Sequence, residues 1–294
     1  MLWAILAFVG AVLDAGYYAL AKRFLASVAD EVLAAGAFLA TSALLLLISF
    51  VRGFPEVSPA LFQPVVITGT LNIIAAALVF YTLRRADLSL AVPIITFTLV
   101  FLMGTSYLVL GEVPTAAGMA GILLIVFGAF CIQVSPGRSG PSSPWDRARW
   151  KGIVTMLGVA FLYSLSLPFD KAVVLASDAI FGSALACLYI GGAFGVIALV
   201  RGSWRRVLPG AAFSAALALG VVLTGATIAI NLAYTLQIVP YVIAVKRVSI
   251  LFSVLIGGLV FREEGLRFRI LGALVMIGGV ALIVLTTVPG SILS

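Results

Sequence analysis

Three ionisable residues are embedded in apolar sequence. Asp14 lies in Ala11-Val12-Leu13-Asp14-Ala15-Gly16. Lys246 and Arg247 are adjacent in Val245-Lys246-Arg247-Val248-Ser249-Ile250. A charge at the centre of a bilayer costs at least ~2.5 kcal/mol, so each of the three needs a reason to be there. Lys246 and Arg247 follow Pro240 by about six residues, or roughly 9 Å of helix. From that depth the two side chains either snorkel to the interface or point into a central cavity and hold an anion. Arg offers a planar fork suited to phosphate or carboxylate, and Lys adds a point charge. Neighbours on a helix diverge by about 100°, so snorkelling would require both to face lipid. Asp14 is either a structural counter-ion for this pair or a site that couples protons or substrate. Burial works against its charged form and a nearby cation favours it.

Weaker polar signals surround these three. Asn72 and Asn231 either line a cavity or make interhelical hydrogen bonds. Tyr17, Tyr18, Tyr163, Tyr241 and Phe97 form either an apolar wall for a ligand or packing and interface anchors. Pro93 and Pro168 are placed to kink helices. Gly191 and Gly195 have a GxxxG spacing that suits close helix packing. The chain has no His, which removes the commonest catalytic base and metal ligand. Cys131 and Cys187 both lie in apolar runs and read as small hydrophobes, with neither a disulfide nor a metal expected. Neither a catalytic constellation nor an ATP-binding motif is found, so an enzyme is not expected and no cofactor is implied.

The elements that carry these residues follow from composition. Of 294 residues, 63% are apolar and 10% charged, against about 25% charged in soluble domains. Apolar runs near 20 residues recur along the chain, the length that crosses a bilayer core of roughly 30 Å. The fold class is therefore an all-α integral membrane protein. Ten helices fit, over 2–22, 31–51, 63–84, 88–109, 115–134, 151–170, 178–200, 208–236, 240–261 and 267–287. The first reads as a retained helix rather than a signal peptide, lacking a basic start and a cleavage site. Residues 135–150, rich in Pro, Gly and Ser, read as a cytoplasmic linker between two sets of five helices. The net charge of +7 comes from short loops and not from a basic tract, so no nucleic-acid partner is expected.

The two sets are copies. Leu25-Ala26-Ser27 recurs as Leu175-Ala176-Ser177, Val51-Arg52-Gly53 as Val200-Arg201-Gly202, and Tyr81-Thr82-Leu83 as Tyr234-Thr235-Leu236. Glu112 precedes Gly121 as Glu263 precedes Gly272. Fourteen Lys and Arg residues fall in loops on one side and only Arg52 and Lys171 on the other. By the positive-inside rule the basic side is cytoplasmic and both termini are outside. An odd number of crossings per copy makes this an inverted-topology repeat, a common transporter plan. The expected location is the cell's inner (plasma) membrane, with the lipid bilayer as a partner.

This ordered set resembles the drug/metabolite transporter superfamily, in particular its EamA-type members. The features that carry the resemblance are the two five-helix repeats, Gly111-Glu112-Val113-Pro114-Thr115 and Arg262-Glu263-Glu264-Gly265-Leu266 before the last helix of each, and the Gly-rich helix that follows. The resemblance covers essentially the whole chain, with residues 1–134 and 151–294 as the two EamA-like repeats. Val245-Lys246-Arg247-Val248 also resembles the helix-nine Lys-Arg pair of triose-phosphate and phosphoenolpyruvate translocators, which binds phosphate. That resemblance implies that Lys246 and Arg247 form an anion site. Helix four carries Pro93-Ile94-Ile95-Thr96 at the matching place, with no basic residue. A phosphate, a single carboxylate and a zwitterion shared with Asp14 all stay open. Asp14, with Lys22, is also similar to the first-helix acidic residue of small multidrug exporters, which takes protons and drug in turn.

The expectation is a secondary transporter of a small polar or anionic metabolite, working by alternating access. Its binding residues would be Lys246, Arg247, Asp14, Tyr17, Asn72, Tyr163, Asn231 and Tyr241. The alternative is a proton-coupled exporter of amino acids or cationic drugs, with Asp14 central.

Overall fold

The computed structural model describes residues 1–25, 28–83, 94–133, 147–206, 209–249 and 266–287. Within them lie ten α-helices: α1 (Leu2–Phe24), α2 (Asp30–Arg52), α3 (Phe62–Leu83), α4 (Thr98–Leu110), α5 (Ala116–Gln133), α6 (Arg147–Ala176), α7 (Phe181–Val200), α8 (Pro209–Leu236), α9 (Val239–Lys246) and α10 (Leu266–Thr286). Among the described residues there is no strand. Among the described residues, six helices are long and apolar enough to cross a membrane, and α4, α5 and α10 are shorter apolar helices. Side chains such as Leu108, Val200 and Phe213 are exposed, as a lipid-facing surface requires. The protein is a multi-pass membrane protein.

Two expectations about the helices are corrected. Helix six does not end at 170. It continues to Ala176 through an internal Pro168, so Asp170 and Lys171 lie within it. Proline removes the bond that its own N–H would make to the carbonyl of Ser164, four residues back. The hydroxyl of the buried Thr105 donates to that Ser164 carbonyl instead, at 2.6 Å. A side-chain donor of this kind lets a proline sit inside a membrane helix. Helix nine is not continuous through Lys246 and Arg247 either. Its described part stops at Lys246, and Arg247 and Val248 form a turn. The expected linker, apart from its last residues 147–150, lies outside the described residues, as do Pro93, Glu263 and residues 250–261 of helix nine.

The chain divides into two compact units, and each takes helices from both sequence copies. One comprises Leu2–Ile73 and Phe169–Leu236. The other comprises Met1, Ile74–Pro168 and Gln237–Ser294. The copies are repeats of sequence, whereas these units are units of packing.

In the first unit α1 packs on α8, and α2 on α7 and α8. Glu31 at the start of α2 pairs with Arg201 at the end of α7. The Phe54 ring, just past the end of α2, meets Phe181 at the start of α7, with centroids 5.6 Å apart. The two helices are therefore antiparallel. They are equivalent members of the two copies, and opposite directions are what inverted repeats require. The repeated Val-Arg-Gly segments are helix stops. Gly53 and Gly202 take φ of 87° and 66°, a region that costs other residues strain.

In the second unit α5 packs antiparallel on α10 through a reciprocal glycine contact. A Cβ on Gly128 would lie 2.5 Å from the Gly272 carbonyl oxygen, and one on Gly272 would lie 2.6 Å from that of Gly128. Gly121 and Gly279 repeat the arrangement at 2.8 and 2.6 Å. The backbones approach so closely that no side chain fits between them, a common way of joining membrane helices. The acidic turn before α5 has a fold role in this unit. The Glu112 carboxylate accepts from Val239 N–H at 2.8 Å and from the Ser106 hydroxyl at 2.6 Å. It thus caps the N-terminus of α9, where an anion is favoured.

Candidate functional site

The helix break in the second unit holds the two expected cations. α9 has eight residues, so it rises only ~12 Å, less than half of a roughly 30 Å core. Lys246 is its last residue and Arg247 its C-cap, and both side chains are half-buried. Arg247 N–H donates to the Ile243 and Ala244 carbonyls at 3.0 and 3.2 Å, and Val248 N–H to the Val245 carbonyl at 3.0 Å. The helix tightens and stops in this turn. The C-terminus of a helix carries partial negative charge, which favours cations in the last turn. A half-helix end thus offsets part of the cost of placing Lys246 and Arg247 at depth.

Helix four breaks at the equivalent place. Residues 94–95 are helical, Thr96 and Phe97 form a turn, and α4 begins at Thr98. Phe97 N–H donates to the Ile94 carbonyl at 3.1 Å, and the Thr98 hydroxyl donates to the Ile95 carbonyl at 2.6 Å. Thr96–Phe97 and Arg247–Val248 are separated by the same offset as Glu112 and Glu263. Broken helices at matching places in two inverted halves are the pattern that marks transporter binding sites.

Tyr163 is brought to this region. It lies on α6, in contact with a core of Ala75, Met156 and Val159 that Ile94 and Ile95 also cover. Arg247 lies within electrostatic reach of its hydroxyl. Tyr241, on α9, is buried and committed to packing. Its oxygen accepts from Thr115 N–H at 2.9 Å and fills the space beside Gly118.

Asp14, Tyr17, Asn72 and Asn231 belong to the first unit. Asp14 is half-buried in the middle of α1. Tyr17 packs against a core that includes Val32, Ala215 and Leu219. Asn231 donates to the Ser183 hydroxyl at 2.5 Å, an interhelical bond between α8 and α7. Asn72 bonds within its own helix, to the carbonyl and hydroxyl oxygens of Thr68. The sequence reading missed Thr105 and Asp170. For Thr105 a signal existed, because a proline inside a helix frees the carbonyl four residues earlier. Asp170 was hidden by placing the end of helix six too soon.

Comparison with known proteins agrees with this architecture. The sequence matches the EamA-like transporter family over residues 1–134. A solved structure, described only as the crystal structure of a protein, matches with a TM-score of 0.78 and 15% identity, over 97% of this chain and 96% of that one. At that identity the likeness is one of fold, and it extends past the EamA-like segment to nearly the whole chain. No curated protein matches the sequence. The family matched by residues 1–134 is one of transporters.

Proposed function

We propose that this EamA-like protein is a secondary transporter whose substrate carries an anionic group, a phosphate or a carboxylate, bound by Lys246 and Arg247. The observation that carries the reading is the pair of cations at the end of a half-helix, opposite an equivalent break in the other copy. Two adjacent cations at a helix break have little structural use there, because the copy makes its break with Thr96 and Phe97. Tyr163, within electrostatic reach of Arg247, would line the same site. Substrate binding near the midplane and rocking of the two halves would give alternating access. The basic loops would face the cytoplasm of a plasma membrane, with both termini outside. The Glu31–Arg201 pair supports this topology, since it brings the starts and ends of two inverted helices to one face.

The test is uptake by proteoliposomes. A thermal-shift screen against sugar phosphates, carboxylates, amino acids and cations first identifies a ligand, which raises the melting temperature by binding the folded state. Lys246→Ala and Arg247→Ala should each abolish uptake of that ligand while the protein inserts and melts normally. Normal uptake by the double variant would sink the anion site. A second reading rests on Asp14, a half-buried carboxylate in the middle of α1. In it the protein exports amino acids or cationic drugs against protons. Asp14→Asn should then stop proton-coupled export, whereas anion exchange should survive it in part.

A further inference from the structure

A second polar cluster lies in the first unit. Thr68 of α3 donates its hydroxyl proton to Asp170 Oδ1 of α6 at 2.5 Å. Asn72 Nδ2 donates in turn to Thr68 Oγ1 at 3.2 Å. Asp170 also lies within electrostatic reach of the Cys187 thiol on α7. Three helix ends fix the depth of the cluster. Asp170 is six residues before the end of α6, Thr68 six after the start of α3, and Cys187 six after the start of α7. Each is about 9 Å inside its helix end. A carboxylate at that depth is costly and is a functional candidate by default.

The copy shows that the fold does not need it. By the offset that relates Leu25-Ala26-Ser27 to Leu175-Ala176-Ser177, Asp170 corresponds to Leu20. By the offset that relates Tyr81-Thr82-Leu83 to Tyr234-Thr235-Leu236, Thr68 and Asn72 correspond to Val221 and Gly225. All three polar residues have apolar counterparts. Each of these helical positions is thus built without a polar group in the other copy: Leu20 stands for Asp170, and Val221 and Gly225 for Thr68 and Asn72.

We infer that Asp170 is a proton-binding site, taking one proton from water and returning it as the carboxyl interconverts with the carboxylate. Asp170 is half-buried; burial works against its charged form, and the bond donated by Thr68 favours it. Among the described residues, the charged Lys171 adjoins it on α6 and the titratable Cys187 of α7 lies within its electrostatic reach, while α3 presents the uncharged Thr68 and, bonded to it, Asn72. Tyr189 hydrogen-bonds Thr70 at 3.2 Å.

The inference goes beyond the anion site and does not rest on it, because its test needs no substrate. Infrared difference spectra of the purified protein would be recorded from about pH 9 to about pH 5. A protonated-carboxyl C=O band that shifts in heavy water should appear as the pH falls. Asp170→Asn should remove it, and Asp14→Asn should keep it. Thr68→Val should raise the pH at which it appears, because a donor to the charged form is lost. Asp170→Glu should retain a titrating band, and it covers the case in which the amide variant fails to fold. Absence of the band in the wild type, its persistence in Asp170→Asn, or its loss in Asp14→Asn alone would overturn the inference.

Discussion

The α5–α10 contact and the two helix breaks are both built from equivalent segments of the two copies, and they behave differently. At α5–α10 the copies match in geometry and in residue type. Gly121 faces Gly279 and Gly128 faces Gly272, each contact the image of the other. At the breaks the geometry is repeated but the chemistry is not. Thr96–Phe97 stands in one copy and Arg247–Val248, preceded by Lys246, in the other. A shared backbone requirement keeps the glycines alike. Nothing in the backbone demands two cations, and the proposed anion site rests on their presence in one copy alone. The Asp170 cluster, whose three polar members have apolar counterparts, follows the same logic.

The largest effect that would break this comparison is on transport. Removing both Lys246 and Arg247 should lower uptake of the anionic ligand roughly 100-fold or more, about 3 kcal/mol, with the melting temperature in detergent little changed. If the double variant melted far lower instead, the asymmetric break would be structural like the symmetric contact. Next comes the glycine contact. Gly128→Ala puts a Cβ 2.5 Å from a backbone oxygen that has no flexible end to move, which should cost about 1–3 kcal/mol. Gly272→Ala should cost a similar amount, read as matched drops in thermal stability. Unequal drops would show that the contact is less symmetric than its geometry.

Smaller effects sharpen the picture of each break's surroundings. Glu112→Ala should cost about 1 kcal/mol by uncapping α9, and a chemical denaturation curve would measure it. Thr105→Val should cost about 1 kcal/mol by leaving the Ser164 carbonyl without its donor. That cost should shrink in a Pro168→Ala background, where the backbone N–H of residue 168 returns to the same carbonyl. A double-mutant cycle with no coupling would refute this account of how helix six tolerates its proline. Arg201→Ala should matter least, at most about 0.5 kcal/mol, because Arg201 is 59% exposed and exposed ion pairs contribute little.

The ten helices and the copied stops at Gly53 and Gly202 were legible because each depends on local chain properties. Apolar length sets a membrane helix, and a glycine with positive φ ends one. The antiparallel pairing of equivalent helices followed from counting basic loops. The cations were legible as anomalies of composition. Asp170 was not, because the end of helix six was placed where its first charges appear, and a charge at a helix end attracts no attention. Tyr241 and Asn231 were legible only as polar residues in apolar helices. Their bonds to Thr115 and Ser183 join segments distant in sequence.

By itself, then, the sequence determined an inverted duplication in a membrane and the three charges that do not fit it. Both follow from hydrophobicity and charge counted along the chain. Only the tertiary structure decided that helices four and nine break at equivalent turns and that Glu112 caps α9. It alone revealed that Thr105 serves the carbonyl freed by Pro168, and that Asp170 lies at depth beside Thr68. Each of these depends on which polar groups, backbone or side chain, find partners beyond the local chain, and that is settled by what another segment brings within hydrogen-bond reach.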